Sequence, residues 1–248
     1  MKSNKTLIFI PTLNEEKNVK IIYEKIKLLK INVDYLFIDD DSSDGTLEIL
    51  KELSLKDKRL SFIHRTNNKG IGSAHVQGIK FAYENSYEII ITMDCDLSHS
   101  PQDIIKFISA SKKGDIIIGT RFKNKKSIED WNFYRKCLTR LGNFATLFFL
   151  GLNFDTTGAF RLYNLRNINH NFLNLITFNR YSFFFESLYI LNLNKYKIIE
   201  IPINLPSRVY GESKQTFKDI FIGFKNLLLI FYRRLFNKKK YIINYEKK

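Results

Sequence analysis

The run Glu88-Ile-Ile-Ile-Thr-Met-Asp-Cys-Asp-Leu-Ser-His99 decides how the chain is read. Its apolar part, Glu88–Met93, has the length and β-branched composition of a buried strand, and it breaks directly into two carboxylates, Asp94 and Asp96. The same plan stands twice upstream. Thr6–Ile10 runs into Pro11-Thr-Leu-Asn-Glu15, and Val33–Ile38 runs into Asp39-Asp-Asp-Ser-Ser-Asp-Gly-Thr46. Leu60–His64 and Asp115–Gly119 are two more strand-like runs. Between them lie helical periods: Val19, Ile22, Ile26 and Leu29 share one face, Leu47, Leu50 and Leu53 the next, and Ile71, Ala74 and Ile79 a third. Asn14 is placed to cap the first helix, with Glu15 and Glu16 in its opening turn, and Ser100-Pro101 opens a fourth. Strict alternation predicts an α/β fold, a mostly parallel sheet with right-handed crossovers and helices on its faces. Such sheets bind ligands beyond the carboxyl ends of their strands, so chemistry is expected just after Ile10, Ile38 and Met93.

All three places hold acids. Two carboxylates two residues apart can point into one crevice and hold a hard divalent cation, Mg²⁺ or Mn²⁺, together with substrate phosphate oxygens. Alone, either acidic cluster reads as ordinary turn chemistry, but three clusters at three binding-edge positions do not. A dinucleotide-binding fold is excluded, because Pro11–Glu15 occupies the place of its glycine motif; Gly70-Ile-Gly72 follows the third strand, and His75 stands where a third glycine belongs.

The second half is less periodic, with an apolar helical stretch at Cys137–Leu150, an aromatic cluster at Tyr181–Phe185 and a short strand at Tyr196–Ile203. No repeat or linker divides it from the first half. The reading is one catalytic domain over residues 1–215, with residues 216–248 as a basic, amphipathic C-terminal extension. Hydrophobic residues at 44% and charged residues at 26% suit a packed core and exclude disorder. The net charge is +15, and from Lys214 to Lys248 ten Lys/Arg face only Asp219 and Glu246. Two cysteines, Cys95 and Cys137, offer no disulfide framework. The run Leu7–Ile10 is too short for a signal-peptide core, and no stretch reaches the ~18 uncharged apolar residues of a spanning helix. A cytoplasmic location is the expectation, with membrane contact open at this point.

The motifs Pro11-Thr-Leu-Asn-Glu15, Asp39-Asp-Asp-Ser-Ser-Asp-Gly-Thr46 and Asp94-Cys-Asp-Leu-Ser-His99, in this order, resemble the family 2 glycosyltransferases of GT-A fold, which are Rossmann-like. The nearest resemblance is to dolichyl-phosphate and polyprenyl-phosphate mannosyltransferases. It continues through Gly119-Thr-Arg121-Phe, Arg135, Asn143-Phe-Ala, Asp155-Thr-Thr-Gly-Ala-Phe-Arg161, Ile201-Pro-Ile and Arg208-Val-Tyr-Gly-Glu-Ser-Lys214, and so covers nearly all of residues 6–215. The resemblance implies transfer of a sugar, with GDP-mannose the favoured donor, to a polyprenyl or dolichyl phosphate, metal-dependent and inverting. It places Pro11, Leu13, Glu15, Ile38 and Asp40 around base and ribose, and Asp94, Cys95 and Asp96 at the diphosphate and metal. Asp94, Asp96 and Ser98 form the implied metal set, with Asp96 the direct ligand. Arg121, Arg208 and Lys214 meet donor phosphates, while Arg135 and Thr139 meet the acceptor phosphate; Asp96, Arg121 and Arg135 are the catalytic residues. The chain departs from its relatives at Leu13, where an aromatic is frequent, at Cys95, where alanine is usual, and at Ser98, where some relatives carry glutamine.

A phosphate monoester has a second pKa near ~6, so at neutral pH it is already an anionic nucleophile and needs no strong base. The task is then to bring two anions together, which suits arginines, a lysine and a metal. Judged singly, Arg121, Arg135 and Arg208 read as surface or ion-pair residues, His99 as structural and Cys137 as helix packing. Glu186 reads either as a buried partner for an arginine or as a catalytic group. Two other functions compete. A GT-A enzyme using a UDP-sugar or a saccharide acceptor calls for a carboxylate base. A nucleic-acid-binding protein would interleave basic and aromatic residues on a known module, whereas here the charge gathers at the tail, so no nucleic acid partner is expected.

In that tail Lys218, Lys225, Asn226 and Arg233 fall near one side of a helix over Ile220–Phe236, leaving a broad apolar face. Burying Lys225 at a bilayer centre costs about 3 kcal/mol, so the helix is expected to lie in a membrane interface, the alternative being that it packs on the protein's own core or on a small membrane-anchoring partner subunit. The resemblance and the tail together point to a protein peripheral on the cytoplasmic face of a membrane. On this reading residues 217–248 can be deleted without unfolding the domain.

Overall fold

The structure is a computed structural model that describes residues 5–124, 126–208, 210–211 and 214–244. Seven strands form one sheet: β1 (Thr6–Thr12), β2 (Asp34–Asp39), β3 (Leu60–His64), β4 (Ile89–Thr92), β5 (Ile116–Thr120), β6 (Arg161–Asn164) and β7 (Ile198–Pro202). Their order is β3-β2-β1-β4-β6-β5-β7, and every pairing is parallel except those of β6, which runs antiparallel to both β4 and β5. The expected α/β fold with a mostly parallel, helix-flanked sheet is what forms.

Side chains alternate across each strand, so Leu7 and Phe9 enter the core on one face of the sheet and Ile8 and Ile10 the core on the other. The second face is covered by α1 (Glu16–Lys27), α2 (Thr46–Lys56) and α4 (Asp103–Ala110). The first is covered by α3 (Ile71–Glu84), α6 (Ser182–Leu193) and α7 (Phe217–Phe236), with the end of α5 (Phe133–Leu150) beside them. Gly78 lets α3 lie against the sheet, since a Cβ there would stand 2.9 Å from the Phe9 ring. The aromatic cluster Tyr181–Phe185 opens α6, whose residues Ser182–Leu191 are all buried.

Three local expectations are corrected. Asn14 does not cap α1: its backbone takes the left-handed conformation (φ 53°), and its side chain accepts instead from the Ser43 N–H at 2.8 Å, tying the β1 turn to the β2 turn. Pro101 does not open α4, which begins at Asp103. The strand β6 was not expected at all.

The extension is also more deeply integrated than expected. A capping box between Thr216 and Asp219 starts α7. Leu227, Ile230, Tyr241 and Ile243 then join the principal core, and Arg234 Nη1 donates to the Phe149 carbonyl at 2.8 Å, near the Gly151 cap that ends α5. Two members of the expected polar stripe face inward: Asn226 Nδ2 donates to Ser182 Oγ at 3.0 Å, and Arg233 is electrostatically coupled to Glu186 and Tyr241. Deleting residues 217–248 would therefore open the core, contrary to the expectation of a detachable tail.

Besides Lys218 and Lys225, what α7 leaves outward is largely apolar. Phe217, Phe221, Tyr232, Leu235 and Phe236 are exposed on it, and Phe133, Leu141, Phe144 and Phe148 on the neighbouring α5. Contacts of Phe149 with Phe224 and Phe231, and of Tyr134 with Phe217, join the two helices into one surface. Among the described residues, no helix is long and apolar enough to cross a membrane.

Candidate active site

The carboxyl ends of β1, β2 and β4 lie side by side, and each turn there contains a non-glycine residue at positive φ: Asn14 at 53°, Asp41 at 64° and Leu97 at 64°. Asn and Asp tolerate that conformation, but leucine does not favour it, so the β4 turn is held by its surroundings. The holding groups are visible. Asp96 Oδ1 accepts from the Ser98 N–H at 3.1 Å and from Ser98 Oγ at 2.6 Å, while the Asp94 N–H donates to His99 Nδ1 at 2.9 Å. Burial brings the His99 imidazole down to about 4, so it is neutral, with Nδ1 as acceptor and the proton on Nε2. His99 is structural, as expected, but structural for the acidic motif itself.

Asp94 and Asp96 face the same crevice. Burial and the charge of Asp96 push the Asp94 carboxyl up to about 7, against the pull of Arg208 and Arg121. Two carboxylates that resist joint ionisation invite a cation, and Arg208 partly answers, with Nη2 at 3.3 Å from Asp96 Oδ2. Among the described residues, no three His, Cys, Asp or Glu side chains converge as a complete ligand cage. The hard oxygens of Asp94 and Asp96 fit Mg²⁺ or Mn²⁺ of the kind completed by substrate phosphates and water. The Ser98 hydroxyl is committed to Asp96, so its position is that of a brace for the ligand.

Along the β1 turn, Pro11, Leu13 and Glu15 are half-buried. Burial and the charge of Asp96 raise the Glu15 carboxyl, while its hydrogen bond from Asn18 and the charges of Lys214 and Arg208 oppose the rise. That coupling places Glu15 near Lys214, Arg208 and Asp96 despite their distance in sequence. Asp40 is fully occupied: Oδ1 accepts from Arg65 Nε at 2.6 Å and from Arg65 Nη2, and Oδ2 accepts from the Gly70 N–H at 2.8 Å. It clamps the β3–α3 loop, a use the sequence did not signal. Ile38, expected at the donor pocket, lies wholly in the core beneath it, and Cys95 is likewise buried.

The opposite side is basic. Arg121, at the end of β5, is buried against Asp155, donating from Nε at 2.7 Å to Oδ2 and from Nη2 to Oδ1, with Thr157 Oγ1 at 2.6 Å. Burial alone would lift the Asp155 carboxyl, but Arg121 holds it below the usual range. Arg121 is thus the ion-pair residue its single reading allowed. Arg135, in the first turn of α5, is partly exposed and lies over the ring of Trp131 at 3.6 Å from its centroid. Burial and the charges of Arg208 and Arg121 lower the Arg135 pKa, which places three guanidiniums close together. Thr139 stands one turn beyond Arg135 on the same face of α5. Tyr181 is a neighbour that the sequence did not mark; burial and the charge of Asp94 push its phenol up to about 12. Glu186 Oε2 accepts from the Thr177 and Phe178 N–H groups at 3.0 Å each, and burial raises its carboxyl.

The crevice thus carries carboxylates on one flank and guanidiniums on the other. Residues 7–172 match Glycosyl transferase family 2. The chain belongs to that family and is a glycosyltransferase. It is 29% identical over 221 residues to the polyprenol monophosphomannose synthase of Mycolicibacterium smegmatis, covering 88% of this chain and 83% of that one. It is 28% identical over 213 residues to the undecaprenyl-phosphate mannosyltransferase of Micrococcus luteus, covering 86% and 88%. In fold it is similar to glucosyl-3-phosphoglycerate synthase from Mycobacterium tuberculosis, solved with Mn²⁺, UDP and glucosyl-3-phosphoglycerate, with a TM-score of 0.63 at 14% identity over 94% of this chain and 80% of that one.

Proposed function

We propose that the protein moves a sugar, with mannose from GDP-mannose favoured, onto the phosphate of a membrane-borne polyprenyl phosphate. The observation that carries this reading is the convergence of Arg121, Arg135 and Arg208 beside the Asp94–Asp96 pair, next to the exposed apolar surface of α5 and α7. The two curated relatives named above act on lipid-linked phosphates by their names, which supports the same acceptor class.

The acceptor phosphate is anionic at neutral pH and serves as its own nucleophile. An oxygen of it forms the new bond to the anomeric carbon as the bond to the diphosphate breaks, so configuration inverts and a nucleoside diphosphate leaves. Arg135 and Thr139 hold the acceptor phosphate, while Arg208 and Lys214 hold the donor phosphates. Arg121, locked to Asp155, is a fixed positive charge at the back of the site. When bound between Asp94 and Asp96, Mg²⁺ or Mn²⁺ supplies neutralisation of the departing diphosphate. Glu15 and the β1 turn line the nucleotide side. Residues 216–248, with α5, form the surface that meets the membrane, with lysines 238–240 toward anionic headgroups.

A panel of GDP- and UDP-sugars incubated with a short-chain polyprenyl phosphate tests the reading. Sugar should pass to the lipid phosphate, fastest from GDP-mannose. Transfer to saccharides alone, with none to the lipid phosphate, overturns it.

A further inference from the structure

Trp131 is the only tryptophan of the chain and is 5% exposed, at the foot of α5 beside Arg121 and Arg135. Both of its faculties are in use. The ring lies beneath Arg135 with 3.6 Å between guanidinium carbon and ring centroid, and Arg121 stands 5.9 Å away. The indole N–H donates to the Leu205 carbonyl at 3.0 Å, and Leu205 in turn donates its N–H to the Ser127 carbonyl at 2.9 Å. That segment leads on to Arg208, which stands at Asp96. One side chain therefore touches the first turn that carries Arg135 and the backbone that leads to Arg208.

The physical need for such a group is specific. Like charges at Arg121 and Arg208 repel Arg135, and a long arginine side chain loses rotamer entropy when it is fixed. A guanidinium over an indole face is held by cation–π attraction, which leaves its N–H donors free for a phosphate to take two of them. Asn132 completes the arrangement by capping the helix, its side chain accepting from the Arg135 N–H at 2.8 Å.

We infer that Trp131 is a positioning residue that presents Arg135 to the acceptor phosphate and, through Leu205, keeps it in register with Arg208. This rests on the reading of Arg135 as the acceptor-phosphate residue, and the experiment separates the two. Acceptor KM, kcat and nucleoside diphosphate affinity are measured for Arg135→Ala, Trp131→Phe and Trp131→Leu, with a short-chain isoprenyl monophosphate as acceptor. Trp131→Leu should raise acceptor KM about tenfold, the scale of a desolvated cation–π contact, with donor affinity within about twofold of wild type. Trp131→Phe keeps a ring face and loses the N–H, and should restore most of that loss. In the wild type, adding the isoprenyl monophosphate should change the emission of this single tryptophan, and the change should vanish in Arg135→Ala. If Arg135→Ala weakens donor and acceptor equally, the acceptor reading fails. If Arg135→Ala is acceptor-selective while Trp131→Leu keeps wild-type acceptor KM, the platform fails alone. Silent wild-type emission at saturating acceptor overturns it too, even should Trp131→Leu not fold.

Discussion

The two flanks of the crevice are built in different ways. On the acidic flank most groups are fixed by residues within a turn of themselves: Asp39 by Ser42, Asp44 by Thr46, Asp96 by Ser98, and the Asp94 N–H by His99. On the basic flank Arg135 alone is held locally, by Trp131 and Asn132; for the other two guanidiniums the partner comes from elsewhere. Asp155 holds Arg121 across 34 residues, and Asp96 meets Arg208 from the other end of the domain. Local turns make an acidic edge that exists as soon as the strands pair. The basic edge exists only when the second half of the chain has closed over it.

That contrast can be broken from either side. Asp96→Ala removes a group that serves both flanks, and transfer should fall at least about 10³-fold, since a bound cation stabilises a leaving diphosphate by several kcal/mol. EDTA should reproduce the loss in wild type, with Mg²⁺ or Mn²⁺ restoring turnover; full activity of stripped enzyme would remove the metal from the account. Asp155→Asn strikes the basic flank alone. It leaves the buried Arg121 charge without its counter-ion and should cost about 3 kcal/mol in urea unfolding, a loss that Asp94→Asn on the acidic flank should not match. Replacing Phe144 and Phe221 together by serine leaves both flanks intact and should weaken partition to anionic liposomes about tenfold, with nucleotide binding unchanged. Wild-type partition should also fall as salt rises, because the basic contribution is screened. Unaltered partition would move membrane contact away from α5 and α7.

A carboxylate outside the crevice sets the smallest effect. The hydrogen bonds from Arg59 hold Asp57 down to about 2, against its burial. Because the folded-state value lies below the unfolded one, its stabilisation is present above about pH 4 and is lost as pH falls toward about 2. Asp57→Asn should cost about 1 kcal/mol near neutrality and flatten the stability curve through that acid window, as read by thermal melts in a pH series.

How much was legible follows from the same contrast. Alternating strands and helices, and acids at strand ends, are local patterns, so the sheet, its binding edge and Asp94 and Asp96 could be read directly from residues. Arg121, Arg135 and Arg208 could be picked out only through resemblance, and nothing in the sequence pairs Arg121 with Asp155 or Arg135 with Trp131. β6 escaped notice because four residues with two polar members, Arg161 and Asn164, carry no strand signal of their own; pairing with β4 and β5 makes them a strand. The tail's periodicity was real, but a helical moment does not say whether its polar side meets water or, like Asn226 and Arg233, a neighbouring helix.

The place of β6 bears on how the chain leaves the ribosome. Among the described residues β5 pairs only with β6 and β7, and both are made after it. No strand synthesised earlier touches either of its edges. The nascent protein therefore carries Ile116-Ile-Ile118, apolar and β-branched, with both edges open until Arg161–Asn164 has been made, and β4 waits for that same strand on its second side. An open, hydrophobic strand is a template for pairing with another chain. For this fold the hazard belongs to the half-made molecule: substitutions in β5 that raise its hydrophobicity would lower the yield of protein long before they altered the finished sheet, in which every residue from Ile116 to Thr120 is buried.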